Sequence, residues 1–175
     1  SRTPAFSVNE GGVGAGETLP NLYFDGPAYI VVREAPGQKT PTENSSDAYT
    51  ILVTTRAVRP NEEREPNDDL DTANEMPMGT PIIGIHGKKG DRDYFRFPRS
   101  GKDREKIDVR FTPVKGLDAT LEVITSNLRL QNKAPGVVEL PGRDKSFYVM
   151  VMSPGGSSVD RAYTLQVELA APDKK

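Results

Sequence analysis

Apolar and polar residues alternate in short runs along most of this chain. In residues 107–112, Ile107, Val109 and Phe111 fall on one side, and Asp108 and Arg110 on the other. That is the period of a half-buried strand. Residues 28–34, 48–54, 81–86, 93–97, 119–125, 146–152 and 162–169 have the same character. They are rich in β-branched and aromatic residues and bounded by Gly, Pro, Asp or Ser. Each predicts a strand. No segment sustains a helical period, and residues 68–76 predict one short helical turn at most. Many short strands between turn signals predict an all-β chain, an antiparallel sandwich or jelly roll.

The pattern also repeats. AYIVVREAPGQKTPTENSSDAYTILV (28–53) and FYVMVMSPGGSSVDRAYTLQV (147–167) both run strand, Pro-Gly turn, Ser/Asp-rich loop, Ala-Tyr-Thr and strand. Tyr29 matches Tyr148, Tyr49 matches Tyr163, and Leu19-Pro20 precedes one copy as Leu140-Pro141 precedes the other. This predicts a tandem repeat whose first copy is incomplete. Residues 1–54 form the C-terminal half of a first sandwich, 55–64 a polar linker, 65–170 a complete second sandwich, and 171–175 a tail. By the same offset the first copy begins about 54 residues before Ser1. Its missing N-terminal half is the expected partner of residues 1–54, whether from the same protein or another chain, because half a sandwich leaves strand edges unpaired. The opening Ser1, with no Met before it, fits a processed or excised piece.

Composition narrows the function. The chain has 175 residues, 35% of them apolar, with 16 Gly and 15 Pro, which suits turns and a polar surface rather than long helices. Net charge is −2, so no global field draws nucleic acid or an anionic membrane. No run is apolar enough for a membrane span. The absence of cysteine excludes disulfides, thiolate metal sites and a Cys nucleophile. There is no Gly-x-Ser-x-Gly, no His-Glu-x-x-His and no phosphate-binding loop, so an enzyme is not expected. The only histidine, His86, ends a strand beside Gly87 and reads as a surface or capping residue.

What remains is acid. Glu63, Glu65, Asn67 and Asp68 spell Glu-x-Glu-x-Asn-Asp, and Asp91 and Asp93 open the Tyr94 strand. In an extended segment, residues two apart face the same way, which puts Glu63, Glu65 and Asn67 on one side. If the two segments meet, their oxygens approach the roughly six to eight that calcium takes. The alternative is a metal-free turn, with Asn67 and Asp68 bonding the local backbone and Asp93 capping a neighbouring loop.

Three motifs in order carry a resemblance. Glu65-Pro66-Asn67-Asp68 is followed by Ala73 and Gly84-Ile85. Then come Gly90-Asp91-Arg92-Asp93-Tyr94-Phe95-Arg96-Phe97 and a closing hairpin, Phe147–Val151 and Tyr163–Val167. Residues 63–169 thus resemble the bacterial pre-peptidase C-terminal (PPC) domain, related to the collagen-binding domains of clostridial collagenases. Residues 17–54 resemble the C-terminal half of a second copy. The resemblance implies a small jelly-roll sandwich, appended to secreted peptidases or found in tandem in cell-surface proteins. It implies a secreted, periplasmic or cell-surface location and a non-catalytic binding module. An extracellular matrix, a polysaccharide or a surface protein would be its partner. It implies calcium on Glu63, Glu65, Asn67, Asp68, Asp91 and Asp93, at the interdomain linker. The alternative within the same family is a spacer or processing domain of a peptidase with no ligand of its own.

Overall fold

The computed structural model describes residues 6–12, 14–34, 45–126, 129–131 and 134–171. Residues 1–5, 35–44 and 172–175, which belong to the expected half-repeat and tail, lie outside them. The chain divides into two compact units, Ser1–Tyr23 with Pro60–Lys175, and Phe24–Arg59.

The larger unit is the predicted all-β sandwich. Its strands are β1 (Asn74–Glu75), β2 (Ile82–Gly84), β3 (Arg92–Pro98), β4 (Glu105–Thr112), β5 (Thr120–Ile124), β6 (Arg129–Gln131), β7 (Gly136–Leu140), β8 (Ser146–Met152) and β9 (Tyr163–Leu169). One sheet has the order β1-β3-β8-β5-β6, the other β2-β9-β4-β7. All pairs are antiparallel except the short parallel β1–β3 contact. Apart from β1, the order is that of a jelly roll: β3, β8, β5 and β6 in one sheet, β2, β9, β4 and β7 in the other.

Alternation builds the core. Phe95 and Phe97 of β3 and Phe147, Val149 and Val151 of β8 face Ile107 and Val109 of β4, Val138 and Leu140 of β7, and Tyr163, Leu165 and Val167 of β9. Phe97 and Phe147 stack at 5.4 Å between ring centroids. Each such ring contributes about 1.5–3 kcal/mol by leaving water. The outer face of the first sheet is covered as well. Tyr94, Ile124 and Met150 are buried there with Ala73, Tyr148 and Met152. The loop that covers them is fastened where Tyr94 N–H donates to the Asn67 carbonyl at 3.0 Å. Residues 68–72 form bends rather than a helical turn. Asp69 Oδ1 accepts from the backbone N–H groups of Asp71 and Thr72, each at 2.9 Å, the local competition that keeps Asp out of helices.

Two arginines show how charge is placed. Arg96 points out and pairs with Glu75 at 2.7 Å. Arg99, just past β3, is inside. Its guanidinium donates to Glu105 and to the carbonyls of Pro141, Lys102, Leu140 and Gly142 at 2.9–3.2 Å. Lys88 and Arg104 pair with acids in the same way.

In the smaller unit, residues 28–34 and 48–54 carry the apolar pattern of strands but enter no β-ladder. Their side chains stand in solvent: Tyr29 is 79% exposed, Val31 77% and Leu52 85%. A strand is completed by hydrogen bonds to a neighbour, and the pattern alone does not supply one.

Candidate metal centre

Four stretches of backbone converge at one end of the sandwich. The entry segment runs beside β2: Ile83 N–H donates to the Asn61 carbonyl at 2.9 Å, and Glu63 N–H to the Ile83 carbonyl at 3.0 Å. Residues 21–23 hold its other side. Glu65 N–H donates to the Asn21 carbonyl at 2.9 Å, and Tyr23 N–H to the Glu65 carbonyl at 2.8 Å. So extended, the segment turns Glu63, Glu65 and Asn67 inward, and all three are buried. The period-two expectation for these residues holds.

The second stretch is the turn before β3. Gly90 sits at φ 74°, a left-handed position that favours glycine. Gly87 N–H donates to Asp91 Oδ2 at 2.6 Å. This folds Asp91 inside, and Asp93 follows two residues later on the inner face of β3. The third is the continuation of β2, where Ile82, Gly84 and His86 alternate inward. The fourth is β9, whose Tyr163 hydroxyl donates to Asp93 Oδ2 at 2.6 Å. Gly84 makes room for that ring: a Cβ there would stand 2.2 Å from Tyr163 Cζ.

Burial without partners sets this cluster apart. Glu63 Oε2 accepts from Ile85 N–H at 2.5 Å and Glu65 Oε2 from Asn67 N–H at 3.0 Å. Yet Glu63 Oε1, Glu65 Oε1, both amide atoms of Asn67, Asp91 Oδ1, Asp93 Oδ1 and both ring nitrogens of His86 are buried with no hydrogen-bond partner in the protein. Buried polar atoms are nearly always paired, and each exception costs roughly 1–3 kcal/mol. Glu63, Glu65 and Asp93 bring ligand atoms within 4.8 Å of one another, and so do His86, Asp91 and Asp93. Asp93 belongs to both triads.

The electrostatics follow from burial. Desolvation, then repulsion by Asp93 and Glu65, hold the Glu63 carboxyl well above the usual carboxylate range. Asp93 is likewise raised well above it, by burial and then Asp91. Burial and the charge of Asp91 push Glu65 up to about 7, and burial pushes Asp91 up to about 6. Burial lowers His86 to about 4, so its ring is neutral. Burial and mutual repulsion thus disfavour the charged form of these carboxyls, and the charge of Lys88 offsets this only in part at Asp91 and Glu65.

Of the six residues expected to act together, Glu63, Glu65, Asp91 and Asp93 have carboxylate oxygens in the two close groups, and Asn67 is buried with its amide unpaired. Asp68 lies at the rim, about one third exposed, and pairs with Lys88 Nζ at 2.8 Å. The capping roles fall elsewhere. Asp69 bonds the local turn backbone, and Asp93 accepts from Tyr163 across the core. His86 is a correction: it is fully buried, not at the surface. The signal was its register with Ile82 and Gly84. Nothing in the sequence marks Tyr163 as reaching Asp93, 70 residues away.

No family model matches the chain, and no curated protein matches it. Among solved structures, the chain is similar to the pre-peptidase C-terminal domain of a collagenase from Bacillus anthracis, with 17% identity and a TM-score of 0.38, over 55% of this chain and 94% of that one. It is also similar to Salmonella Typhimurium PliG, a periplasmic lysozyme inhibitor of g-type lysozyme, with 12% identity and a TM-score of 0.42, over 56% of this chain and 100% of that one.

Proposed function

We propose that the chain is a non-catalytic module of a secreted, periplasmic or cell-surface protein, and that calcium stabilises it where the chain enters the sandwich. The observation that carries this reading is the set of buried oxygens without partners on Glu63, Glu65, Asn67, Asp91 and Asp93. They are hard ligands, mostly anionic, drawn from two separate segments, which is the donor chemistry calcium takes. Asp68 supplies a further carboxylate at the rim once it leaves Lys88. Binding ties the entry segment to β3, so ion affinity becomes folding stability. The partner in this reading is a matrix component, polysaccharide or surface protein.

The same reading takes residues 17–54 as the closing half of a preceding sandwich. The exposed Ile30, Val32, Tyr49, Ile51 and Val53 support it, because they match Val149, Val151, Tyr163, Leu165 and Val167 of the second copy, which are buried.

Chelator-treated protein tests the calcium reading. At calcium a hundredfold above Kd, stability rises by about 2.7 kcal/mol, so the melting temperature climbs by about 10 °C. Glu65→Gln and Asp91→Asn reduce that rise. An unchanged melting temperature at millimolar calcium sinks the reading and leaves a ligand-free spacer.

A further inference from the structure

The cluster is not uniform in its donors. On one side stand Glu63 and Glu65, with oxygen alone. On the other stands His86 with Asp91, and Asp93 lies between. A neutral imidazole has one N–H donor and one acceptor nitrogen. Here the ring is fully buried and neither nitrogen has a hydrogen-bond partner in the protein. Its Nδ1 lies 3.6 Å from Asp93 Oδ2, too far for a hydrogen bond. The ring is held in place by packing on Tyr163, 4.8 Å away between centroids.

Calcium has little use for nitrogen, whereas zinc and its first-row neighbours favour imidazole with carboxylate. We propose that His86, Asp91 and Asp93 form a second cation position, selective for a first-row transition ion such as zinc, next to the calcium position and sharing Asp93 with it. The centre is then mixed: a hard ion on the glutamates and a borderline ion on the histidine, bridged by one carboxylate. Three protein ligands leave the rest of the zinc coordination to water. This inference rests on the cluster being a cation site at all, so its test reads the two positions separately.

His86 is the chain's only histidine, so a long-range 1H–15N spectrum of this 175-residue chain reports on this imidazole alone. With calcium saturating, one equivalent of Zn2+ is expected to move one His86 nitrogen resonance and to register in calorimetry as one further ion per chain. Co2+ in its place is expected to give visible ligand-field bands. His86→Asn should weaken zinc more than about a hundredfold, beyond the effect of an outer-shell change, yet keep the calcium-dependent rise in melting temperature. Glu63→Gln should show the reverse pattern. The inference is overturned if zinc leaves the imidazole unmoved while calcium still stabilises the chain. It is equally overturned if zinc only displaces calcium and His86→Asn changes nothing. If neither ion binds, both readings fail together.

Discussion

β3 has a buried charged side chain near each end, and the protein around it treats the two ends in opposite ways. Beyond its last residue, Arg99 meets one carboxylate and four carbonyls. At its start, Asp91 and Asp93 meet other acids and keep unpaired oxygens. Both charges were taken out of water at a cost of several kcal/mol each. At Arg99 the surrounding loops answer that cost. At the aspartates the protein answers only in part: Gly87 N–H meets one oxygen of Asp91, with Lys88 Nζ 3.8 Å from the other, the Tyr163 hydroxyl meets one oxygen of Asp93, and each carboxylate keeps an oxygen without a hydrogen bond. Burial of charge is therefore no guide to function by itself; the count of partners is.

The comparison can be broken in three ways. The largest effect is expected from Arg99→Ala, which strands Glu105 and several carbonyls and should cost roughly 3–5 kcal/mol. Chemical denaturation would measure it, and the loss should be the same with calcium or chelator. A loss that calcium rescues would mean that the two ends are coupled.

A smaller effect should come from pH. Glu65 and Asp91 hold their protons to about pH 7 and about pH 6 when folded, and burial also raises Glu63 and Asp93 well above the ordinary carboxylate range. The folded chain thus binds more protons than the unfolded one from the ordinary carboxylate range up to about pH 7. Metal-free stability should fall as pH rises through that window. His86, whose pKa drops from 6.5 to about 4 on folding, opposes this in the acid part, as one group against four. With calcium the slope should reverse, because the ion needs bare carboxylates. Melting curves from pH 4.5 to 8, with calcium and with chelator, are the check. Parallel slopes would refute the cation reading.

The smallest change is Gly84→Ala. Its methyl would collide with the Tyr163 ring, and overpacking of this kind costs about 1–3 kcal/mol. Displacing the ring also moves its hydroxyl from Asp93, so calcium affinity should fall as well. Wild-type calcium affinity in this variant would mean that Tyr163 does not position Asp93.

Much of this was legible in the sequence where alternation was strong. β4 and β9 alternate along most of their length, and β3 and β8 are rich in aromatic and apolar residues with buried runs. β1, two polar residues, and β6, Arg-Leu-Gln, have no pattern to read; their pairing is set by neighbours. The inward set Glu63, Glu65 and Asn67 followed from period two. His86 was missed because a lone histidine was weighed by type rather than by register with Ile82 and Gly84. Residues 28–34 and 48–54 show the reverse error: apolar alternation records a capacity to be covered, not the presence of a cover.

Asp93 also has a mechanical meaning. Glu63, on the segment where the chain enters the sandwich, shares a triad with it, and Tyr163, at the start of the strand where the chain leaves, is bonded to it. Tension applied along a string of such modules would converge on that carboxylate from both directions. The proposed ion would act there as a rivet, and its dissociation rate would then limit how long the entry segment resists being peeled from β2.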